Sequence, residues 1–221
     1  MTQRLIIRLL PIEIFLFSLL TGWLAISGVR ALIQSAPLRP TLAEAAPSTD
    51  TGGASTTLSP IFTPQVQHWA ERIAAWAAPF QLDPNLVATV MQIESCGAPH
   101  VVSSSGAQGL FQVMPFHFAP EEPMQDPDTN AGRGLAYLAL GLTRAGGNAG
   151  LALAGYNGGH SQIGKDASLW PEQTKRYWYW GTGIYQDAIG GQTQSSRLQE
   201  WLQAGGASLC AKADQELGLA R

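Results

Sequence analysis

The sequence has few charged residues and very few lysines. Of its 221 residues 13% are charged, only three are lysines, and the net charge at pH 7 is −3. The three lysines are scattered, so the chain has no basic stripe that could neutralise the phosphates of a nucleic acid. We therefore do not expect nucleic acid to be a partner.

The sequence also lacks the residue spacings of a metal site or of a cysteine nucleophile. Its four histidines stand at positions 68, 100, 117 and 160. They show no zinc-ligand spacing, so neither a metal nor another cofactor is expected. The chain has two cysteines, Cys96 and Cys210. Outside the cytoplasm these are predicted to pair as a disulfide, with two buried thiols as the alternative.

The longest apolar stretch lies in the first 34 residues. Residues 14–29 are apolar apart from hydroxyl side chains, and together with residues 5–11 they approach the roughly 20 residues needed to cross a bilayer. Segment 1–34 is predicted to be an uncleaved membrane anchor that holds the rest of the chain in the cell envelope, outside the cytoplasm. A cleaved signal peptide, which would leave a secreted protein, is the alternative. The Pro/Ala/Ser/Thr-rich stretch 35–60 is predicted to be a flexible linker.

Residues 61–221 are predicted to form one mainly α-helical domain. Apolar residues recur at helical spacing from Val66 to Trp76, and Asp83 with Pro84 supplies a cap and a first-turn proline for the next helix. No sustained alternation of apolar and polar residues indicates a sheet. Further helices are predicted at 130–142, 149–156, 173–188 and within the tail at 196–219.

Glu94 is the strongest candidate for a catalytic residue. It ends the apolar helix that begins at Pro84, and a glycine-rich turn follows at 106–109. An acid at the end of a hydrophobic helix is partly desolvated, which raises its pKa and keeps a proton available near neutral pH. Such a proton can be delivered to a leaving group.

Four sequence blocks carry a resemblance to a known family. They are ES at 94–95 with Ser103 nine residues after the glutamate, GAQGLFQVMP at 106–115, DPDTNAGRGLAYL at 126–138, and ALAGYNGG at 152–159. In order and spacing these blocks resemble the family-1 lytic transglycosylases, whose soluble-lytic-transglycosylase domain belongs to the lysozyme-like superfamily.

The resemblance implies a lysozyme-like fold that cleaves the β-1,4 bond between N-acetylmuramic acid and N-acetylglucosamine in peptidoglycan. Glu94 would be the single obligatory catalyst. As an acid it would protonate the glycosidic oxygen, and as a carboxylate it would take the proton from the C6 hydroxyl of the muramoyl sugar, which closes a 1,6-anhydro ring. Because this nucleophile already belongs to the sugar, one carboxylate suffices.

The same resemblance places further side chains at the site. Serine and tyrosine hydroxyls can orient the carboxyl group or the substrate, and a glutamine amide can bond an acetamido sugar. The expected substrate-binding residues are Ser103, Gln112, Met114, Tyr156 and Asn157. Structural roles are the alternatives: turn formation for Ser103, packing for Met114 and helix capping for Asn157.

Two other functions stay open at this point. A lysozyme-type muramidase would hydrolyse the same bond with a second acid such as Asp126. A glycan-binding module without turnover is favoured by a departure from the family pattern, since Gln173 stands where the family has glutamate and Glu172 comes one place early. Core packing is predicted for the tryptophans of the C-terminal third, with at most one of them a sugar-stacking platform. These are Trp170, Trp178, Trp180 and Trp201.

Overall fold

The computed structural model describes residues 58–219, which form eight α-helices joined by turns, short 3₁₀ helices and one π-helical segment, Leu202–Gly206. The helices are α1 (Pro64–Gln67), α2 (Ala70–Ala77), α3 (Pro84–Glu94), α4 (Pro127–Arg144), α5 (Ala149–Gly158), α6 (Glu172–Ile189), α7 (Ser196–Trp201) and α8 (Ala207–Leu217). Extended pairing within these residues is limited to two isolated bridges, Val102–Gln108 and Gln108–Val113. The prediction of a mainly helical fold is confirmed for this part of the chain.

The predicted anchor and most of the predicted linker lie outside the described residues. Within 58–219, none of the helices has both the length and the apolar character required to span a membrane. Leu58 and Ser59 are already buried. Packing therefore begins within the last residues of the stretch 35–60.

The first helical segment is divided in two at Trp69. The backbone N–H of Trp69 donates to the carbonyl oxygen of Val66 at 3.0 Å, which tightens the chain there, and α2 starts one residue later. The buried indole donates to the carbonyl oxygen of Gly97 at 2.9 Å. This long-range bond fixes the position of Trp69, and helical periodicity alone does not reveal it.

Helix α3 lies at the centre of the fold. The Asp83 carboxylate caps it by accepting from the N–H of Asn85, and it also accepts from the Tyr185 hydroxyl of α6 at 3.0 Å. All seven residues from 86 to 92 are buried, so the helix is enclosed on every face. Glu94 is its last residue.

Helices α5 and α6 pack against each other, and α6 also packs against α3. At Gly181 of α6, an added Cβ would lie 3.2 Å from a methyl group of Leu153 and 3.4 Å from one of Ile93. A glycine at this position thus lets α6 approach both neighbours. The approach brings Tyr177, one turn earlier on α6, beside Glu94.

Asn130 of α4 holds the loop that precedes the helix. Its buried amide group donates to the carbonyl oxygens of Gln108 and Met124, each at 2.8 Å, while its oxygen accepts from the N–H of Phe111 at 2.8 Å. Gly109 has a φ of +71°, and an added Cβ there would lie 2.7 Å from the Asn130 amide nitrogen. Only glycine fits this contact without displacing the loop.

The residues after Glu94 tie α3 to this loop and to the C-terminal helix. The Ser95 hydroxyl donates to the carbonyl oxygen of Leu110 at 2.7 Å. Cys96 and Cys210 form a disulfide, with their Cα atoms 5.0 Å apart. Glu94 therefore lies next to two connections, the hydrogen bond from Ser95 to the loop before α4 and the disulfide to α8.

Candidate active site

Glu94 occupies a half-buried position at the C-terminal end of α3. Burial raises the pKa of its carboxyl group from 4.5 to about 8, while the Tyr177 hydroxyl acts in the opposite direction. The protonated form therefore predominates at neutral pH. Such a group can serve as a general acid without an acidic medium.

Two tyrosines flank this carboxyl group, one from α5 and one from α6. Burial raises the pKa of both Tyr156 and Tyr177, and the negative charge of Glu94 adds to the effect, so both phenols stay protonated. The Tyr156 hydroxyl donates to the carbonyl oxygen of Phe111 at 2.8 Å. The Tyr177 hydroxyl makes no hydrogen bond of ordinary geometry with the described residues, yet it lies close enough to Glu94 to lower the pKa of that carboxyl group.

Replacing Tyr177 with phenylalanine is expected to raise the pKa of Glu94 further above its value of about 8, because the hydroxyl that stabilises the carboxylate is lost. The pKa is measured by NMR titration of the side-chain carboxyl carbons, with the Glu94 signal assigned from a Glu94→Gln sample. Tyr179→Phe is the control, since that exposed tyrosine on the same helix bonds to Glu200. A Glu94 pKa that is unchanged or lower in Tyr177→Phe would contradict the assignment.

A cavity of about 290 Å³ opens beside Tyr156. Its walls come from the loop at 112–117, from α4 and from the end of α5. Glu94 itself does not line the cavity but adjoins it through Tyr156, whose pKa responds to the Glu94 charge. A sugar bound in the cavity would therefore lie next to the acid.

Four of the five predicted substrate-binding residues line this cavity, namely Gln112, Met114, Tyr156 and Asn157. The amide nitrogen of Gln112 donates to the carbonyl oxygens of Val101 and Gly109, both at 2.9 Å, so its oxygen remains for a ligand. The side-chain oxygen of Asn157 accepts from the Thr174 hydroxyl at 3.1 Å, which leaves its amide nitrogen as a donor. Together they offer one acceptor and one donor.

Ser103 is not among the residues that line the cavity. Its hydroxyl oxygen accepts from the N–H of Ala107 at 2.9 Å, and its own N–H donates to the carbonyl oxygen of Ala107 at 3.0 Å. These two bonds close the turn at 103–107. The geometry is that of the structural alternative, and a contact between Ser103 and substrate stays a prediction.

None of the acidic residues of the stretch 121–128 lines the cavity. Asp126 caps the start of α4, and Glu122 forms an ion pair with Arg133. Among the residues the structure describes, no acidic side chain lines the cavity. Glu94 is therefore the acidic residue that adjoins the cavity through Tyr156.

The sequence block around Gln173 departs from the family pattern, and its residues lie on two different faces of α6. Glu172, the displaced glutamate, is exposed and bonds Lys175 at 2.8 Å. Tyr177 is buried against Glu94. The sequence assigned no role to Tyr177, because helical spacing does not tell which face of α6 meets α3.

The tryptophans of the C-terminal third lie away from the cavity. Trp170 and Trp201 are buried, and neither they nor Trp178 and Trp180 line it. The aromatic residues that do line it include Phe116, His117 and Tyr137, none of which was predicted at the site. The burial of Trp170 and Trp201 agrees with the core packing predicted for them.

A family model of known proteins matches the part of the chain that builds this site. The model is that of the transglycosylase SLT domain, and the match runs from residue 71 to residue 179. Over this segment, about half of the chain, the sequence is similar to a transglycosylase SLT domain. The matched segment holds Glu94, both flanking tyrosines and the whole cavity, and the family resemblance seen in the sequence blocks is confirmed.

The chain is also similar to individual known proteins. A transglycosylase of Enterobacteria phage PRD1 is 40% identical over 114 residues, which is 49% of this chain and 40% of that protein. The endo-type membrane-bound lytic murein transglycosylase A of Klebsiella pneumoniae subsp. pneumoniae is 36% identical over 80 residues, which is 30% of this chain and 37% of that protein. This chain thus spans well under half the length of these relatives.

Among solved structures, an inactive mutant of lytic transglycosylase Slt from Pseudomonas aeruginosa superposes with a TM-score of 0.46 at 24% identity. The superposition covers 56% of this chain and 25% of that one. An overlap this partial carries no conclusion about the present chain.

Proposed function

We propose that this chain is a peptidoglycan lytic transglycosylase that cleaves the β-1,4 bond between N-acetylmuramic acid and N-acetylglucosamine and leaves 1,6-anhydromuramoyl ends. The observation that carries the proposal is the Glu94 carboxyl group, half-buried with a pKa of about 8, inside a segment that matches the SLT domain. Relatives named transglycosylase and lytic murein transglycosylase support the same reaction.

In the proposed reaction Glu94 acts first as an acid and then as a base. Its proton passes to the glycosidic oxygen as the bond from that oxygen to C1 of the muramoyl sugar breaks. The carboxylate then accepts the proton of the C6 hydroxyl while the C6 oxygen bonds to C1. Burial suits both steps, since a pKa of about 8 leaves the acid protonated at the start and makes the carboxylate basic enough to take a proton back.

The flanking tyrosines have different proposed roles. The Tyr177 hydroxyl stabilises the carboxylate that forms when Glu94 gives up its proton, because it lowers the pKa of that group. The Tyr156 proton is held by the Phe111 carbonyl group, so Tyr156 offers the substrate its ring and the lone pairs of its oxygen. Tyr156 would thus form part of the wall of the sugar site, and Tyr177 would stabilise the Glu94 carboxylate.

Glu94 adjoins the cavity, and no acidic side chain of the described residues lines it, which favours transglycosylation over hydrolysis. A hydrolytic glycosidase usually needs a second carboxylate to activate water or to attack the sugar. An intramolecular C6 hydroxyl needs only a base to remove its proton, because its attachment to the sugar removes the entropic cost of bringing it in. This supports the lyase reaction over the muramidase alternative.

An acetamido sugar fits the polar groups proposed to bind it. Its amide N–H can donate to the free oxygen of Gln112, and its carbonyl oxygen can accept from the amide nitrogen of Asn157. Met114 supplies an apolar contact on the same wall. The proposed substrate is therefore the glycan strand of peptidoglycan, which the site would recognise by hydrogen bonds to its acetamido groups.

We place this lysozyme-like domain, residues 61–221, in the cell envelope. Segment 1–34 would be the membrane helix and 35–60 the flexible linker that lets the domain reach glycan strands. Relatives named membrane-bound lytic transglycosylases support this location. Peptidoglycan and the membrane are thus the proposed partners.

Product analysis tests the proposal. The chain is incubated with purified peptidoglycan in water enriched in oxygen-18, and the released muropeptides are analysed by mass spectrometry beside a hydrolytic lysozyme. We expect anhydromuramoyl ends without the label, since no water enters the product, whereas the lysozyme yields labelled reducing ends. Labelled reducing ends from this chain would establish hydrolysis, and no release at all would reject catalysis.

A further inference from the structure

The most exposed aromatic side chain at the cavity belongs to Phe116. It lines the cavity, yet 75% of its surface is open to solvent. Phe116 also lies just past the block 106–115 that carries the family resemblance. The proposed reaction at Glu94 does not account for an exposed apolar ring at this place.

Phe116 is the outer end of a row of contacting rings. Its ring centroid lies 4.5 Å from that of His117, which lies 4.8 Å from that of Tyr137. Tyr137 in turn stacks on His160 at 3.9 Å and meets Tyr156 edge to face at 5.8 Å. The row therefore runs without a gap from the tyrosine beside the acid to the open lip of the cavity.

The position of Phe116 is set by the 3₁₀ turn Pro115–His117. The proline fixes φ at the first position of the turn, and the N–H of His117 donates to the carbonyl oxygen of Met114 at 3.0 Å. The side chain has only two rotatable bonds, so little conformational entropy is lost when a ligand packs on it. The turn therefore determines where the Phe116 ring leaves the backbone.

The cavity is too small for a polymer. Its volume of about 290 Å³ lies at the lower limit of ordinary ligand sites, which run from about 300 to 1,000 Å³. A glycan strand bound there must leave the cavity over its lip. On the side of the 112–117 loop, the lip carries Phe116.

We propose that Phe116 is a sugar-stacking platform that adds a subsite for an N-acetylated hexopyranose of the glycan strand, beyond the sugar held in the cavity. A pyranose ring has an apolar face of C–H groups that packs on an aromatic ring, and its hydroxyl rim stays in water. The platform sets how long a strand the site prefers. It rests on the proposed function, because the strand enters the cavity as the substrate of Glu94.

The test measures binding against strand length. The probes are β-1,4-linked N-acetylglucosamine oligomers of increasing length, titrated calorimetrically into the full chain carrying Glu94→Gln so that no turnover intervenes. In this background, Phe116→Ala removes the ring and Phe116→Trp keeps an aromatic face. Leu169→Ala is the matched control, since Leu169 is 72% exposed and does not line the cavity.

We expect Phe116→Ala to bind the longest oligomers about five- to tenfold more weakly and the shortest ones as well as its parent does. Phe116→Trp should restore the affinity for long oligomers, and Leu169→Ala should match the parent. In chains with Glu94 intact, Phe116→Ala should raise KM for peptidoglycan and leave kcat unchanged. Equal weakening at every length, no weakening, or no binding of any oligomer by the parent would overturn the proposal.

The outcomes also separate this proposal from the proposed function. If anhydromuramoyl products form but Phe116→Ala binds oligomers of every length as well as its parent does, the stacking proposal is rejected and the proposed function is not. If Phe116→Ala weakens the affinity for long oligomers but the parent forms no products, Phe116 is a glycan-binding residue and the catalytic assignment of Glu94 is rejected.

Discussion

The Glu94→Gln variant is expected to release muropeptides at least about a hundredfold more slowly than the parent, because the amide can neither give nor take the proton. Binding of glycan should persist, since the walls of the cavity are unchanged. The measurement is the initial rate of muropeptide release from purified peptidoglycan. Glu71→Gln is the matched control, a glutamate-to-glutamine change at an exposed position in the first turn of α2.

Release by Glu94→Gln at the parental rate would reject Glu94 as the catalyst, and with it both enzymatic interpretations of the sequence. Release by neither protein, with glycan still bound, would favour the non-catalytic binding module. Loss of release in Glu71→Gln as well would indicate a general effect of the substitution on the fold. The two variants together therefore separate a chemical role from a structural one.

The same variant is expected to differ from the parent in the pH dependence of stability. Glu94 has a pKa of about 8 in the folded chain and an ordinary value of 4.5 when unfolded. Between these values the folded state holds a proton that the unfolded state has released, so the Glu94 contribution to stability is full below about pH 4.5 and declines until about pH 8. Across this window we expect the melting temperature of the parent to fall relative to that of Glu94→Gln, and a constant difference would contradict the raised pKa.

Removing the disulfide is expected to lower the melting temperature by about 5–15 °C, the second large effect. The bond links residues 114 positions apart, and a cross-link over so long a loop typically contributes about 2–5 kcal/mol to the free energy of unfolding. The measurement compares thermal unfolding of the parent with that of a Cys96→Ala, Cys210→Ala double variant. Equal melting temperatures for the two would contradict the prediction.

Thermal unfolding in the presence of a reductant is the control for the effect of the disulfide on the melting temperature. The parent in reductant should unfold near the temperature of the double variant, while the double variant itself should not respond. Below the unfolding transition the pKa of Glu94 should stay near 8, because burial and Tyr177 set it. A large change in that pKa would mean that the disulfide also positions the acid.

Most of the helices were predictable from the sequence because their signals are local. The Asp83 cap, the proline after it and a run of apolar residues determine where α3 begins, and α4, α5 and α6 follow from alanine-, leucine- and aromatic-rich segments. The break at Trp69 was not predictable. It depends on an indole that bonds to Gly97, and no local pattern encodes that contact.

The candidate site divides in the same way. Glu94 was identified from its place at the end of an apolar helix and from the blocks around it, and four of the five predicted binding residues line the cavity. Ser103 lies in a turn outside it, since a serine in a turn sequence looks the same whether its hydroxyl faces a ligand or the backbone. Phe116 was missed because nothing in the sequence shows that its ring is left uncovered.

By itself the sequence predicted Glu94 as the acid and indicated which segments are helical and which family the domain resembles. Only the tertiary structure decided that Tyr177 lies beside Glu94, that the two cysteines pair, and that Asp126 caps α4 and does not line the cavity. The physical reason is that periodicity and capping act within a few residues, whereas burial and charge depend on which helices meet. The pKa of about 8 at Glu94 is a property of that packing.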